Sequence, residues 1–181
     1  LFKRVNEIFK QRANLQLDTE QKRLVEETHK YFIRSGAQLD DESMQILTEI
    51  NQKLSSLTTQ FGQNLLKETN EGFSLIIEDE KRLDGLPEDI RNQAAKLAES
   101  EGYPGKWLFK PTRVSMYPFL TYSTQRDLRE KLYKSYIERG NNNNERDNKQ
   151  IAIEMADLRT QRANILGYAT HADFVLENTM A

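Results

Sequence analysis

The sequence predicts a mainly α-helical fold: a bundle of long antiparallel helices with a small two-stranded β-ribbon. Three observations support this prediction. Apolar residues recur every three or four positions over long stretches, capping residues and glycines mark the ends of those stretches, and two short apolar segments break the helical period. With 181 residues, the chain is long enough for one domain with its own core. We therefore expect residues 1–181 to form a single helical domain.

Helical signals begin at the first residue. The stretch LFKRVNEIFK (1–10) already reads as the middle of a helix, so we expect the natural chain to start upstream of it. In the next helix Asp18 and Gln21 have the spacing of a capping box. Gly36 follows that helix at the position where a positive φ is needed.

The longest predicted element covers residues 40–72. Asp40 and Asp41 supply an acidic start, which the helix dipole favours. The apolar seam of this helix consists of Leu47, Ile50, Leu54, Leu57, Phe61 and Leu65. Such a seam suits packing against another long helix, and we expect that partner helix to lie within the same chain. The alternative is a dimeric coiled coil, although flanking charged pairs are too sparse to specify it.

Two short segments, at about 73–78 and 107–113, predict the β-ribbon, because they are rich in aromatic and β-branched residues. Pro111 marks the second as an edge strand. A helix with Pro87 in its first turn is predicted between them. Further helices follow: one opens with Thr124 and Asp127 in capping-box spacing, and another comes after the polar connector Asn141–Asn144 and ends at Gly167.

The composition excludes several classes of function. The formal net charge of -2 gives no electrostatic basis for binding nucleic acid or anionic lipid. No apolar run approaches the roughly 18 residues of a membrane span, and no signal peptide is visible. The chain has no cysteine, which excludes disulfides, thiolate metal ligands and cysteine nucleophiles.

The two histidines are the first candidates for chemistry. His29 lies inside a helix with Ile33 at the i+4 position, so we interpret it as a packing or surface histidine, not a metal ligand. His171 and Asp173 have the spacing of a proton relay. Thr170 and Asp173, however, have the spacing of a helix cap, and we favour the cap, with His171 on an exposed first turn.

Other motifs are absent or ambiguous. The sequence contains no His-Glu-x-x-His, no Gly-x-Ser-x-Gly and no phosphate-binding glycine loop. One group of aromatic residues fits either a binding surface or the core, and we favour the core. Its members are Trp107, Phe109, Tyr117, Phe119 and Tyr122.

Five segments in order resemble the thimet oligopeptidase family of zinc metallopeptidases, within it the branch of bacterial peptidyl-dipeptidase (Dcp) and oligopeptidase A. The segments are RSGAQLD (34–40), LSSLTTQFGQNLL (54–66), LDGLPEDI (83–90), YPFLTYSTQRDLREKLYKSYIERG (117–140) and LRTQRANILGYATHADFVLENTMA (158–181). The resemblance implies a mostly helical enzyme that hydrolyses short peptides. It also implies one Zn²⁺, held by the histidines of a His-Glu-x-x-His helix and a later glutamate.

The zinc motif itself is missing from this sequence, so the resemblance transfers no site residue. We expect no catalytic, cofactor-binding or metal-ligating residue within 1–181, and a zinc domain after Ala181. The expected parent protein is a cytoplasmic monomer that acts on short peptides and binds neither nucleic acid nor membranes. The alternative is a stand-alone helical interaction module that uses the seam of residues 47–65.

Overall fold

The computed structural model describes residues 1–179 and is mainly helical, as predicted. Met180 and Ala181, after which we expect the zinc domain, lie outside the described residues. The described chain contains helices α1 (Phe2–Gln11), α2 (Thr19–Arg34), α3 (Asp41–Lys67), α4 (Glu88–Ser100), α5 (Arg113–Tyr122), α6 (Arg126–Ile137), α7 (Lys149–Ile165) and α8 (His171–Leu176), with strands β1 (Leu75–Ile77) and β2 (Trp107–Phe109). A π-helical turn, Glu68–Gly72, follows α3, and a 3₁₀ turn spans Glu80–Leu83.

The chain divides into two compact units. The first comprises Leu1–Leu57 and Glu154–Ala181, and the second comprises Thr58–Ile153. Helices α3 and α7 each contribute residues to both units. No helix within the described residues combines the length and the apolar character that a membrane span requires.

In the first unit, the predicted start and end of α2 are confirmed. The Asp18 carboxylate accepts a hydrogen bond from the Gln21 backbone N–H at 2.8 Å, and the Gln21 side chain accepts one from the Asp18 N–H at 3.2 Å. These two bonds satisfy backbone donors that the helix itself leaves free. Gly36 closes the turn after α2 with a φ of +89°.

The antiparallel arrangement of long helices is confirmed by contacts between α3 and α7 in the first unit. Lys53 forms an ion pair with Glu154, and Arg162 donates to the Asn51 side chain at 3.5 Å. The residue numbers rise along α3 as they fall along α7, so the two helices run in opposite directions. The seam residues Leu47, Ile50, Leu54 and Leu57 are buried within the chain, which agrees with the intramolecular packing that we predicted.

In the second unit, the predicted ribbon is confirmed but is shorter than expected. The strands pair antiparallel, with Leu75 opposite Phe109 and Ile77 opposite Trp107. The expectation that β2 extends to residue 113 is wrong. Pro111 has no N–H for a strand ladder, and Thr112 caps α5 by accepting a hydrogen bond from the Ser115 N–H at 3.4 Å.

The core of the second unit forms where the ribbon packs with α4, α5 and α6. Its buried residues are Leu75, Ile77, Leu83, Leu86, Ala94, Phe109, Met116, Phe119, Leu128 and Leu132. The start of α6 differs from the prediction, because Gln125 occupies the N-cap position. The Thr124 hydroxyl instead donates to the Asp84 carboxylate at 2.8 Å, and Asp127 forms an ion pair with Arg82. Tertiary partners therefore replace the predicted capping box.

Candidate functional site

A groove of about 500 Å³ opens in the second unit between α4, β2 and α5. We call it the α4–α5 groove. It is lined by Asp89, Ile90, Gln93, Ala94, Leu97, Leu108, Phe109, Lys110, Thr112, Val114, Ser115, Pro118 and Tyr122. The floor is continuous with the buried core, since Ala94, Leu108 and Phe109 are each at most 4% exposed.

Helical spacing produces the two walls of the groove. On α4, Ile90, Ala94 and Leu97 recur at steps of four and three residues and so share one face. On α5, Val114 and Tyr122 lie two helical turns apart on the groove side and are 83% and 51% exposed. A concave, mainly apolar surface with exposed large side chains is typical of a binding site for apolar groups.

The side chains of the groove do not form a serine–histidine pair. Its one serine, Ser115, accepts a hydrogen bond from the Lys110 backbone N–H at 3.1 Å. Both histidines of the chain, His29 and His171, belong to the first unit, so the second unit offers no imidazole to activate a serine.

The predicted aromatic group divides between core and surface. Phe109 and Phe119 are buried, with ring centres 4.6 Å apart, as the core interpretation requires. Trp107 is half-buried against the same cluster. Tyr117 and Tyr122 are about half exposed, and Tyr122 lines the α4–α5 groove. The core interpretation therefore does not hold for these two tyrosines.

A buried carboxylate, which the sequence analysis missed, organises the connector of asparagines. The Glu68 residue is only 5% exposed. Its carboxylate accepts hydrogen bonds from the Gly140 backbone N–H, from the Asn142 side chain at 2.7 Å and from the Asn144 side chain at 3.1 Å. Glu68 therefore holds two of the four asparagines, and Lys149 donates to the side-chain oxygens of Asn141 at 2.9 Å and Asn143 at 2.8 Å, so the connector is more than a polar spacer.

The hydrogen-bond donors determine the charge state of Glu68. Burial opposes its ionisation, but the bonds from Gly140, Asn142 and Asn144, with Arg146 nearby, outweigh burial and lower its pKa below the ordinary value. The sequence did carry a signal for this site. Glu68 occupies the next position of the seam after Leu65, so an acid falls where the helical period predicts a buried residue.

His29 packs between the first two helices. Its ring stacks on Phe9 with the centroids 3.8 Å apart, and its Nε2 donates to the Asn6 side-chain oxygen at 3.1 Å. Burial, followed by the charges of Arg12 and Lys10, lowers the pKa of the imidazole. These contacts belong to a packing histidine.

The expected cap at Thr170 is present. The Thr170 hydroxyl accepts from the Asp173 N–H at 3.1 Å, and the Asp173 carboxylate accepts from the Thr170 N–H at 3.0 Å. The expectation that His171 lies on an exposed turn is wrong. Its imidazole is partly buried, and its ring centre lies 6.4 Å from that of Phe174.

Comparison with protein families matches residues 119–181 to peptidase family M3. Among curated proteins, dipeptidyl carboxypeptidase of Escherichia coli (strain K12) is 33% identical over 181 residues, which is 100% of this chain and 26% of that protein. Oligopeptidase A of Haemophilus influenzae is 36% identical over 165 residues, covering 89% of this chain and 24% of that protein. Saccharolysin of Saccharomyces cerevisiae is 26% identical over 159 residues, or 87% of this chain and 21% of that protein.

These matches define the class of protein. The chain belongs to peptidase family M3, the thimet oligopeptidase family, as its segments had indicated. It spans about a quarter of the length of the curated relatives that it matches.

Proposed function

We propose that this chain is the helical, non-catalytic part of a zinc-dependent metallopeptidase that hydrolyses short peptides, of the peptidyl-dipeptidase or oligopeptidase type. The similarity to dipeptidyl carboxypeptidase along all 181 residues carries this proposal. The relatives' names supply the substrate class, since oligopeptidases and carboxypeptidases act on peptides. In the parent enzyme, a zinc ion held by residues outside this chain would supply Lewis-acid chemistry for peptide hydrolysis.

The zinc ion that family membership implies does not fit the residues present here. Within residues 1–179, no three His, Cys, Asp or Glu side chains lie close enough together to hold a metal ion. The two histidines are held in separate aromatic environments, His29 on Phe9 and His171 beside Phe174. We therefore assign the zinc ligands and the general base to another part of the parent protein.

The proposal extends to partners and compartment. The parent is a cytoplasmic monomer that binds short peptides and neither nucleic acid nor membranes; a relative from Arabidopsis thaliana carries the name "Probable cytosolic oligopeptidase A". The alternative, a stand-alone interaction module, needs a free seam on α3. Burial of Leu47, Ile50 and Leu54 within the chain argues against it.

Two measurements test the proposal. The purified 181-residue chain should retain no stoichiometric zinc after dialysis and should not cleave a fluorogenic peptide, whereas the parent should cleave that peptide and lose the activity on chelation. Tightly bound zinc, or chelator-sensitive cleavage by the 181-residue chain itself, would contradict it. The parent reading frame should also contain a His-Glu-x-x-His motif downstream of these residues.

A further inference from the structure

In the first unit, basic side chains gather around the ring of Phe174. The guanidinium carbon of Arg34 lies 4.3 Å from the ring centre and that of Arg162 lies 5.4 Å from it. The His171 ring centre is 6.4 Å away. Three helices, α2, α7 and α8, thus each bring one basic group to the same aromatic ring. We call this group, together with Arg159 and Lys30, the Phe174 cluster.

The positive charge in the Phe174 cluster is only partly balanced. Glu177 pairs with Arg34 and, at 3.4 Å, with Lys30. The other nearby carboxylate, Asp173, bonds to the Thr170 backbone and hydroxyl. Among the residues that the structure describes, neither Arg159 nor Arg162 forms an ion pair; Arg159 is exposed, and Arg162 donates to the Asn51 side chain at 3.5 Å.

Two buried nitrogen atoms of this cluster also have no hydrogen-bond partner within residues 1–179. They are Nε of Arg162 and Nδ1 of His171. Buried polar atoms are normally bonded, so such atoms point to a missing acceptor or donor. The charges agree with this conclusion: burial, Arg162 and Arg159 lower the pKa of His171, while burial and Arg159 lower that of Arg162.

We propose that the Phe174 cluster binds a carboxylate supplied from outside the described residues, with Arg162 as its principal ligand. A guanidinium recognises a carboxylate through two parallel charge-assisted bonds. The bound anion would relieve the repulsion between Arg159 and Arg162. Arg34 is already engaged by Tyr168 at 3.1 Å, by the Phe174 carbonyl at 2.6 Å and by Glu177, so it shapes the site without being free for the ligand.

Two chemical groups can supply the bound carboxylate: the C-terminus of a peptide, or an acidic side chain. Binding at this cluster is independent of whether the parent cleaves peptides, since it depends on charges in the first unit alone. The same 181-residue chain can therefore be used to test it whatever the outcome for the proposed function.

The pKa values of the two histidines can be measured separately by NMR and report on binding. A carboxylate beside Arg162 favours the charged imidazole, so the ligand should raise the pKa of His171 in a saturable way. His29, which lies against Phe9 and Asn6, should not respond. Three probes are titrated: N-acetyl-alanyl-alanine, the same dipeptide with an amidated C-terminus, and N-acetyl-aspartate N-methylamide. Inorganic phosphate is titrated separately.

A peptide C-terminus is the source if only the free-acid dipeptide raises the pKa of His171, and an acidic side chain is the source if the blocked aspartate binds more tightly. The Arg162→Gln variant should weaken carboxylate binding by about tenfold or more, as expected for the loss of a charge-assisted bond. Arg4→Gln, which removes an exposed charge in the same unit, should leave it unchanged. The inference is overturned if no carboxylate shifts His171, if phosphate alone does, or if a folded Arg162→Gln protein binds as before.

Discussion

The Glu68 carboxylate accepts a hydrogen bond from the backbone N–H of Gly140, a residue 72 positions further along the chain. This bond ties the end of α3 to the connector that precedes α7, within the second unit. The same carboxylate holds the side chains of Asn142 and Asn144. One buried charge thus holds a backbone N–H and two side chains of a loop whose composition alone predicts no fixed conformation.

Replacing Glu68 by Gln should lower the free energy of unfolding by about 1–3 kcal/mol, the cost of leaving buried donors without an acceptor. The glutamine amide keeps one acceptor oxygen, but its NH₂ group would face a donor whose hydrogen bond the Glu68 carboxylate accepts in the wild-type protein. Urea denaturation monitored by circular dichroism measures the change. Glu71→Gln is the matched control: the Glu71 side chain is 60% exposed in its ion pair with Arg146, so its loss should cost less than about 1 kcal/mol.

The Glu68 contribution should also depend on pH. Because its pKa is lower in the folded state than in the unfolded state, the stabilisation is fully present above the unfolded pKa and disappears as pH falls through the folded pKa. The difference in stability between wild type and Glu68→Gln should therefore shrink in acid, below about pH 4.3, the ordinary Glu pKa. A difference that stays constant down to about pH 3 would show that the charge of Glu68 does not contribute.

Helical period and capping predict most of this fold, because they are local properties. Asp18 and Thr170 cap their helices as expected, since both partners lie three residues away. Thr124 has the same local pattern, yet it bonds to Asp84, 40 positions distant. The sequence alone does not show when a bond to such a distant partner replaces the local capping bond. The same reason explains why the connector 141–144 was predicted only as a spacer.

Gly85 approaches another part of the chain too closely for any side chain. It has a φ of +84°, and a Cβ atom built on it would lie 2.2 Å from the Tyr122 carbonyl oxygen. Gly85→Ala should therefore combine left-handed backbone strain of about 1–2 kcal/mol with a packing cost of about 1–3 kcal/mol. The fall in free energy of unfolding, measured by urea denaturation, should approach the sum of the two.

Gly102 separates the two contributions. Its φ is +85°, but a Cβ atom there has no neighbour within 4 Å. Gly102→Ala should show the backbone strain alone. Equal losses of stability in the two variants would mean that the turn at Gly85 moves away from Tyr122 and that the close approach carries no cost.

Arg34 depends on the planar shape of its guanidinium and on its charge. It donates to the Tyr168 hydroxyl at 3.1 Å and to the Phe174 carbonyl at 2.6 Å, pairs with Glu177, and its side chain is only 13% exposed. Lysine keeps the charge but cannot reach these acceptors from one rigid plane. Arg34→Lys should lower the free energy of unfolding by about 1–3 kcal/mol. Arg23→Lys, at a side chain that is 73% exposed, should change it by less than about 0.5 kcal/mol, and a similar loss in both variants would contradict the role given to Arg34.

The candidate groove was predicted less well than the helices. Aromatic residues near β2 indicated a packed ribbon, and for Phe109 and Phe119 this is confirmed. The exposed side of α5 was not predicted, because the aromatic and β-branched residues Trp107, Phe109, Thr112 and Val114 are typical of a strand that continues into this segment. In the structure this segment is helical, with Met116 and Phe119 packed in the core and Val114 left outside.

His29 should make stability depend on pH near neutrality. Burial and the charges of Arg12 and Lys10 lower its pKa in the folded state, so the unfolded state binds a proton first as pH falls through about 6.5. The free energy of unfolding should therefore decrease from about pH 8 to about pH 5. His29→Phe keeps an aromatic ring against Phe9 and should reduce this decrease without abolishing it, because the pKa of His171 is lowered too. Urea denaturation at the two pH values tests this, and an unchanged decrease in His29→Phe would show that His29 remains free to take up a proton in the folded protein.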